Sequence, residues 1–322
     1  MKFCDSVTPG GTNANPSCRA GAIGGYFGGR LLEIKRDVTF MARSRRAEEL
    51  RRSGLRIHSR FGDAFFPNPA VVQADSLRDT FDLVLVTTKS YDLEAAITDF
   101  APAVGSNTAI IPLLNGIRHL EMLDRRFGTE RVLGGQCLIA SSVNAQGEIA
   151  HLNDTHELSF GERDGSLSSR VQKIAELMQG ARFDARTSTQ IMQEMWEKWV
   201  FLSSAAGSGC LMRGTVGDIN AAPGGTEFVL SLIDECREIA ASQGYVVRDA
   251  SFERTRAMLT AGGSTLTPSM LRDIERGARI EADHIIGDLL RRAKPGTALR
   301  LATSYTHLKA YEARRQRETK SA

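Results

Sequence analysis

Long hydrophobic runs are missing from this sequence. No apolar stretch among the 322 residues approaches the roughly 18 residues that a membrane-spanning helix requires. The N-terminus does not combine a basic start with an apolar segment, the pattern of a secretion signal. We therefore expect neither a membrane span nor a secretion signal.

Cysteine is scarce, and its placement excludes several kinds of site. The chain has five cysteines, an odd number with no C-x-x-C pair, and six dispersed histidines. This usage indicates reduced thiols in a cytoplasmic protein and argues against a structural zinc site. We expect no metal ion. The cysteines are Cys4, Cys18, Cys137, Cys210 and Cys236.

A marked excess of one charge is also absent. The chain has 41 basic and 38 acidic residues, which gives a net charge of +3, and the two signs are interleaved. Nucleic acid is therefore not an expected partner. The hydrophobic fraction of 42% and the length allow one large core or, more naturally, two.

Short β-rich runs alternate with helical patterns in the first part of the chain. Strands are predicted at 37–43, 55–58, 70–73, 81–88 and 109–114, with helices at 44–53 and from about 93. Further strands at 138–143, 147–152 and 157–161 suggest antiparallel additions. The alternation is typical of a parallel sheet with right-handed crossovers.

The pattern becomes entirely helical after about residue 189. Helical stretches are predicted at 191–212, 227–243, 269–294 and 299–314. The predicted fold class is α/β, with an N-terminal Rossmann-type parallel-sheet domain followed by an all-α domain. We expect residues 1–187 to bind a dinucleotide and residues 188–322 to form the substrate and catalytic domain. The wide apolar helix faces are compatible with a homodimer.

A glycine-rich segment at 20–32 predicts a cofactor loop. Gly21 and Gly24 have the spacing of the second and third glycines of G-x-G-x-x-G, with Ala22 and Ile23 between them. The N–H groups and the dipole at the start of the following helix would attract a pyrophosphate. The alternative is a glycine-rich helix that packs tightly on its neighbours, since such a loop alone is weak evidence.

A predicted strand after this helix ends in Arg43, where NAD-binding proteins usually have an acidic residue. An arginine there suits the 2′-phosphate of NADP, and Arg45 and Arg46 could assist. The sequence therefore favours NADPH as the cofactor.

The segment before Gly21 departs from the pattern. Arg19 occupies the position of the first glycine, and residues 13–18 contain asparagines and Pro16, which a central strand disfavours. Lys2–Val7 could supply the strand instead, with a long loop to Gly21. A second hypothesis, slightly favoured, is that residues 5–19 are not the native segment, as a reading-frame slip would produce.

Four motifs stand out between Gly21 and about Arg314. They are Gly21-Ala-Ile-Gly-Gly-Tyr-Phe-Gly-Gly-Arg30, Val86-Thr-Thr-Lys-Ser-Tyr-Asp-Leu93, Leu114-Asn-Gly-Ile117, and Ser269-Met-Leu-Arg-Asp-Ile-Glu-Arg-Gly277 with Glu281-Ala-Asp283. Together, in this order, they resemble the ketopantoate reductase (2-dehydropantoate 2-reductase) family. A fifth motif, Met195-Trp-Glu-Lys-Trp199, is similar to the one around the catalytic lysine of that family.

The resemblance implies reduction of a 2-keto acid by NADPH, with ketopantoate to pantoate as the family reaction. Lys198 then matches the general acid, which protonates the developing alkoxide. Trp196, Trp199 and Val200 would form a partly apolar wall that lowers the pKa of this lysine. The alternative is a lysine on a solvated helix face.

The resemblance also assigns roles to four other residues. Asn115 would contact cofactor and substrate, and Lys89 would contact the cofactor; the alternatives are an Asn-Gly turn and a charge in solvent. Ser269 would bind the substrate carboxylate, and Glu281 would accept from a substrate hydroxyl or orient Lys198. The alternative is that both lie on helix surfaces.

Ser269 and Glu281 would lie about 18 Å apart on one unbroken helix, at 1.5 Å per residue. We therefore predict a break at Gly277 that lets the two side chains converge on one small acid. Thr267 and Pro268 are predicted to be the N-cap and first residue of the earlier helix.

The sequence departs from the family at three positions where asparagine is frequent, namely Leu202, Ala206 and Ile286. Fewer amides make a pocket less suited to a hydroxylated substrate, although Ser203 and Ser204 could compensate. Two alternatives to ketopantoate reduction follow. One is a paralogue that acts on a more apolar keto or hydroxy acid. The other is a catalytically impaired NADP-binding protein, because of Arg19.

Overall fold

The structure, a computed structural model, describes residues 2–7 and 21–321, with side chains from Gly21 to Lys320. Its strands are β1 Lys2–Val7, β2 Asp37–Ala42, β3 Leu55–His58, β4 Ala64–Phe66, β5 Ala70–Val72, β6 Phe81–Val86, β7 Val104–Pro112, β8 Gly134–Val143, β9 Ile149–Gly161 and β10 Asp184–Thr187.

The helices of the first part are α1 Ala22–Glu33, α2 Ser44–Ser53, α3 Leu93–Phe100, α4 Arg118–Phe127 and α5 Ser169–Met178. Those that follow are α6 Ile191–Met212, α7 Val216–Ala221, α8 Gly225–Ser242, α9 Asp249–Leu259, α10 Ser269–Glu275, α11 Asp288–Arg291 and α12 Leu299–Ser321. A π-helical turn, Asp283–Gly287, leads directly into α11.

A five-stranded sheet in the order β5-β2-β1-β6-β7 confirms the predicted parallel architecture. Every neighbouring pair in it is parallel. Lys2–Val7 is its central strand, as the first interpretation of the N-terminus requires. Residues 8–20, including Arg19 and Pro16, lie outside the described residues, and the reading-frame hypothesis stays a prediction.

Helix α1 is held between two sheets by its glycines. A Cβ at Gly28 would lie 2.6 Å from Phe40 of β2. On the opposite side, a Cβ at Gly25 or at Gly29 would lie 2.4 Å from Ile149 of β9 or Ile57 of β3. Such distances leave no room for a methyl group. The glycine-rich sequence therefore serves tight packing as well as the predicted loop.

The second sheet has the order β10-β9-β3-β4, and β8 is antiparallel to β9. The antiparallel addition was predicted, but the runs at 147–152 and 157–161 form one strand, β9. Strands β4 and β10 and helix α5 were not predicted; the two strands are only three and four residues long, whereas α5 has an apolar period at Val171, Ile174 and Met178 that the sequence offered.

The chain after β10 contains helices alone over its described residues, as predicted. Helix α6 has the predicted limits, whereas α12 continues to Ser321 and is longer than predicted. Helices α7 and α9 were not predicted. Over the described residues, no helix combines enough length and apolarity to cross a membrane.

The chain divides into two compact units. One contains the described residues up to Leu114 together with His119–Met192. The other contains Asn115–Arg118 and the residues from Gln193 onward. The short segment after β7 therefore belongs with the helical unit, although it lies far from it in sequence.

Candidate functional site

The start of α1 offers main-chain N–H groups to an anion. Gly21 is the N-cap residue, with φ of 118°, and no side chain of the described residues caps the helix there. A side chain at this φ would be strained, which explains the glycine. Ala22 and Ile23 open the first turn, which has no acidic residue, and Gly24 is buried. This arrangement fits a pyrophosphate group.

Arg43 follows β2 as the N-cap residue of α2. Its side chain is 37% exposed, and its Nε lies 4.0 Å from the Asp99 carboxylate. Arg45 is also exposed and pairs with Glu49. Arg46 is different, because it is buried and donates to the carbonyl of Gly147 at 2.8 Å. The prediction that Arg46 assists Arg43 is therefore wrong.

Two threonines and Lys89 follow β6 at the carboxyl end of the parallel sheet. Lys89 is half-buried and precedes a short 3₁₀ turn, Ser90–Asp92. Thr88 is 4% exposed, and its buried Oγ1 has no hydrogen-bond partner within the described residues. A buried hydroxyl of this kind costs free energy unless a ligand or water satisfies it. The carboxyl edge of an open α/β sheet is where a dinucleotide binds, so this residue fits the expected cofactor.

Lys198 lies on α6, in a stretch of the helix whose neighbouring tryptophans are buried. It is half-buried, whereas its neighbours Trp196 and Trp199 are 2% and 0% exposed. The Trp196 ring stacks on Tyr245, with centroids 5.0 Å apart. The cation over the two tryptophan rings is Arg292, whose guanidinium carbon lies 5.7 and 5.6 Å from the ring centroids of Trp196 and Trp199. The apolar wall around Lys198 stays a prediction.

Glu197, the neighbour of Lys198, anchors α6 to the start of α9. Its carboxylate accepts from the Arg248 guanidinium at 2.6 and 2.7 Å, from the Arg248 N–H at 3.0 Å, and from Gln193 at 3.0 Å. Burial opposes ionisation and is the largest single effect. The hydrogen bonds and the charge of Arg248 nevertheless hold the pKa of Glu197 below its usual range. Sequence reasoning missed this anchor.

The predicted break at Gly277 is confirmed. Gly277 has φ of 65°, and the N–H groups of Gly277 and Ala278 donate to the carbonyls of Ile274 and Asp273. This is the pattern of a Schellman motif, which ends α10. The carbonyls of Gly277 and Ala278 accept from Arg315 and Tyr311 of α12. The turn is thus held from both sides.

The start of α10 differs from the prediction by one residue. Pro268, with ψ of 148°, is the N-cap residue, and Ser269 is the first helical residue. Thr267 does not cap the helix, because Arg272 donates to its carbonyl and its hydroxyl at 2.8 and 3.2 Å. Ser269 is exposed.

Glu281 precedes the π-helical turn and is 8% exposed. Its carbonyl accepts from the N–H groups of His284 and Ile285. The carbonyl of Ile285 in turn accepts from Trp199 Nε1 at 2.8 Å and from Ser203 Oγ at 3.2 Å. The segment that carries Glu281 is therefore fixed to α6 next to Lys198. Single π-helical turns occur frequently at functional sites.

His284 is a further residue that sequence reasoning missed. It is 6% exposed, and its imidazole forms a hydrogen bond with the main chain of Asn115. Burial lowers the pKa of His284, against the opposing effects of Glu281, Asp288 and this hydrogen bond. The signal in the sequence was a histidine three residues after the predicted acid.

Ser203 and Ser204 do not replace the missing amides as donors. The Ser203 hydroxyl donates to Ile285, and the Ser204 hydroxyl donates to the carbonyl of Val200 at 2.8 Å. Their hydrogen atoms are already used within the helices, so the predicted compensation is wrong in this respect. Ala206 and Ile286 are 3% and 0% exposed, and Leu202 is half-buried.

The cysteines with described side chains are all buried with free thiols. Burial raises the pKa of Cys210 and of Cys236 to about 12, so thiolate chemistry at neutral pH is not expected of either. In the described part of the chain, no group of three His, Cys, Asp or Glu side chains could hold a metal ion.

The candidate residues fall into two groups by unit. Asn115, Lys198, Ser269 and Glu281 belong to the helical unit. Gly21, Gly24, Arg43 and Lys89 belong to the unit that contains the parallel sheet. The hydrogen bonds around Asp283–Gly287 connect three of the first group, namely Asn115, Glu281 and the helix of Lys198.

Comparison with known families gives two matches that cover most of the chain. Residues 20–165 match the family described as "Ketopantoate reductase PanE/ApbA". Residues 190–312 match the family described as "Ketopantoate reductase PanE/ApbA C terminal". Apart from residue 20, both matches fall within the region from Gly21 to Arg314 that carried the resemblance.

Individual proteins agree with these matches. An "uncharacterized oxidoreductase YkpB" of Bacillus subtilis is 37% identical over 296 residues, which cover 91% of this chain and 97% of that protein. A 2-dehydropantoate 2-reductase of Archaeoglobus fulgidus is 28% identical and covers 85% of this chain and 89% of its own length. The crystal structure of 2-dehydropantoate 2-reductase from Geobacter metallireducens has a TM-score of 0.82 at 26% identity, covering 95% of this chain and 99% of that one. A D-mandelate dehydrogenase with NADH shares the fold, with a TM-score of 0.84 at 17% identity over 98% of this chain and 100% of that one.

Proposed function

Because the chain belongs to the ketopantoate reductase family and is an oxidoreductase, we propose that it reduces a 2-keto acid to a 2-hydroxy acid with NADPH. The proposed acid catalyst is Lys198. Glu281, Asn115 and Ser269 are the proposed substrate-site residues. Gly21, Ala22, Ile23, Gly24, Arg43, Lys89 and Asn115 are the proposed cofactor-site residues.

One observation carries this proposal. The π-helical turn after Glu281 binds α6 at Trp199, the residue next to Lys198, and binds Asn115 through His284. Three residues from distant parts of the sequence are thereby fixed within one compact unit. Catalysis requires such preorganisation, because small displacements of a catalytic group are costly.

The chemistry of the proposed residues is complementary. Bound NADPH would supply the hydride for C2 of the keto acid. Lys198 would hold a proton on Nζ and transfer it to the C2 oxygen, which would otherwise carry a full negative charge. Solvent would then return a proton to Nζ. Glu281 would keep Lys198 oriented, or accept from a substrate hydroxyl.

A substrate panel tests the reaction type. The full-length protein is mixed with NADPH and with ketopantoate, an aliphatic 2-keto acid without hydroxyl groups, or an aromatic one, and NADPH absorbance is followed. Loss of absorbance together with an equal amount of 2-hydroxy acid is expected for at least one of them. If the protein binds NADPH but reduces none, the enzyme hypothesis fails and the NADP-binding alternative is supported.

Lys198→Ala tests the proposed acid. Removal of a general acid lowers kcat by about 10²- to 10⁴-fold, whereas NADPH affinity should change little. Lys173→Ala, which removes an exposed lysine of α5, is the matched control and should leave kcat unchanged. Equal activity of the Lys198 variant and the wild type would contradict the assignment.

A second candidate is a reductase or dehydrogenase for a more apolar acid. It is favoured by the apolar Leu202, Ala206 and Ile286, and by the use of the Ser203 and Ser204 hydroxyls within the helices. A hydroxylated substrate would then find few partners, and an unsatisfied hydroxyl is costly. In the panel, this candidate predicts a higher kcat/KM for the aliphatic or aromatic keto acid than for ketopantoate.

A further inference from the structure

His284 lies where the Asn115–Gly116 turn meets the π-helical turn Asp283–Gly287. Its imidazole hydrogen-bonds the main chain of Asn115. The bond raises the pKa of the imidazole, as a hydrogen bond from the ring to a carbonyl oxygen does. An unperturbed histidine pKa is about 6.5, and burial lowers it here, so the ring is neutral at neutral pH.

Gly116 brings the main chain of the turn against this ring. Gly116 has φ of 77°, and a Cβ there would lie 3.1 Å from His284 Cδ2, 3.3 Å from Nε2 and 3.1 Å from the His284 carbonyl oxygen. The turn therefore packs directly on the Cδ2–Nε2 edge of the imidazole. A side chain at 116 would be strained at this φ, and its Cβ would be in tight contact with the ring.

His284 is itself held from two directions. Its N–H donates to the carbonyl of Glu281 at 3.2 Å. The next residue, Ile285, accepts from Trp199 and Ser203 of α6. A ring that is 6% exposed on so fixed a segment has little freedom to move. Because the His284 segment is bonded to α6 and to Glu281, the hydrogen bond of His284 fixes Asn115 relative to both.

We propose that His284 is a positioning residue of the 2-keto acid site, which holds the Asn115–Gly116 turn so that the Asn115 amide is presented at a fixed distance from Glu281 and Lys198. This inference rests on the proposed function for its catalytic meaning. The contact between His284 and the turn does not depend on that function.

Three variants separate the hydrogen bond from the ring. His284→Phe keeps an aromatic ring and removes the donor. His284→Gln can place an N–H near the position of Nε2, the nitrogen nearer to Gly116, whereas His284→Asn places one near Nδ1. With the keto acid that the wild type reduces, we expect kcat/KM to fall about tenfold in the Phe and Asn variants, the effect of one hydrogen bond, and to recover in the Gln variant.

A double-mutant cycle tests whether His284 acts through Asn115. In an Asn115→Ala background, His284→Phe should cause no further loss of kcat/KM, because the amide that it positions is gone. Additive losses would overturn the proposal. Equal activity of the Phe variant and the wild type would overturn it as well.

Hydrogen exchange gives a readout that does not depend on activity. Exchange of the peptide that contains Gly116 and Ile117 should accelerate in His284→Phe and remain at the wild-type rate in His284→Gln, with the other peptides of the unit unchanged. If the wild type reduces no keto acid, the proposed function fails. The exchange experiment still shows whether the His284 hydrogen bond holds the Asn115–Gly116 turn. Unchanged exchange in the Phe variant would refute the positioning role.

Discussion

At the scale of single residues, the most informative atom for cofactor binding is the Thr88 hydroxyl. It is buried at the carboxyl edge of the parallel sheet and has no partner within the described residues. Thr108 provides a comparison in the same sheet. Its hydroxyl donates to the carbonyl of Phe81 at 2.5 Å and accepts from the Gly105 N–H at 2.8 Å, and it is 3% exposed. Both threonines are therefore buried, but only the Thr108 hydroxyl has hydrogen-bond partners among the described residues.

This difference predicts opposite effects of the same substitution. Thr88→Val should leave the free energy of unfolding of the free protein unchanged or slightly higher, and should weaken NADPH binding about tenfold, the effect of one hydrogen bond. Thr108→Val should destabilise the protein by about 1–3 kcal/mol and leave NADPH affinity unchanged. Urea unfolding and fluorescence titration measure the two quantities. An unchanged dissociation constant in the Thr88 variant would show that its hydroxyl does not meet the cofactor.

At the scale of elements, α1 follows the proposed cofactor loop and α6 carries the proposed acid catalyst, and the two helices are held in place by different means. Helix α1 depends on the absence of side chains, because its glycines let two sheets approach it. Helix α6 is held by hydrogen bonds instead. Glu197 binds Arg248 at the start of α9, and Trp199 binds the carbonyl of Ile285 in the π-helical turn.

The tight packing of α1 predicts that added methyl groups are not tolerated. Gly25→Ala and Gly29→Ala should each lower the free energy of unfolding by about 1–3 kcal/mol, because the new Cβ would lie 2.4 Å from Ile149 or Ile57. Gly262→Ala is the control, since a Cβ there meets nothing within 4 Å. Chemical denaturation measures all three. A Gly25 variant as stable as the Gly262 variant would contradict the packing explanation.

The Glu197 anchor predicts a pH-dependent contribution to stability. The folded-state pKa is lower than the unfolded value of 4.5, so the contribution is fully present above that value and is lost as the pH falls through the folded pKa. Glu197→Gln should cost about 1–2 kcal/mol near pH 7, a modest amount because Arg248 is 46% exposed, and the difference from wild type should shrink toward acid pH.

The measurement is urea unfolding of both proteins across this pH range. Glu253→Gln is the control, because its partner Arg256 is 3.7 Å away and both groups are more than half exposed. A deficit of the Glu197 variant that stays constant down to acid pH would contradict the linkage.

At the scale of the whole molecule, the proposed cofactor residues other than Asn115 lie in one compact unit, and the proposed substrate residues and Asn115 lie in the other. Binding of a ligand to the folded protein alone stabilises it by mass action, by about 2.7 kcal/mol at 100 times the dissociation constant. NADPH should therefore raise the melting temperature. NADH should raise it less, because Arg43 would meet the 2′-phosphate of NADPH only.

Arg43→Ala tests whether Arg43 is the residue that favours NADPH over NADH. The shifts in melting temperature with NADPH and NADH, measured by scanning calorimetry at equal concentrations, should become similar in this variant. Arg45→Ala, at an exposed residue that pairs with Glu49, should keep the difference. If the Arg43 variant still prefers NADPH over NADH, residues other than Arg43 determine the cofactor selectivity.

Much of this protein followed from the sequence alone, where local patterns determine local structure. The predicted strand 81–88 is β6 over Phe81–Val86, the limits of α6 were correct, and Gly277 follows the end of α10. An apolar run, a helical period and a positive φ are properties of short segments. The family also followed, since its motifs are local strings such as the one around Lys198.

Only the tertiary structure decided which of these residues meet. Arg46 was predicted to assist at the cofactor, but it donates to the carbonyl of Gly147, 101 residues away. Ser203 was predicted to compensate for a missing amide, but its hydroxyl donates to the carbonyl of Ile285. The contact of His284 with Asn115 joins positions 169 apart in the chain. A local sequence pattern does not predict such pairs. A polar group forms its hydrogen bond with whichever partner the packing of the whole chain brings within about 3 Å.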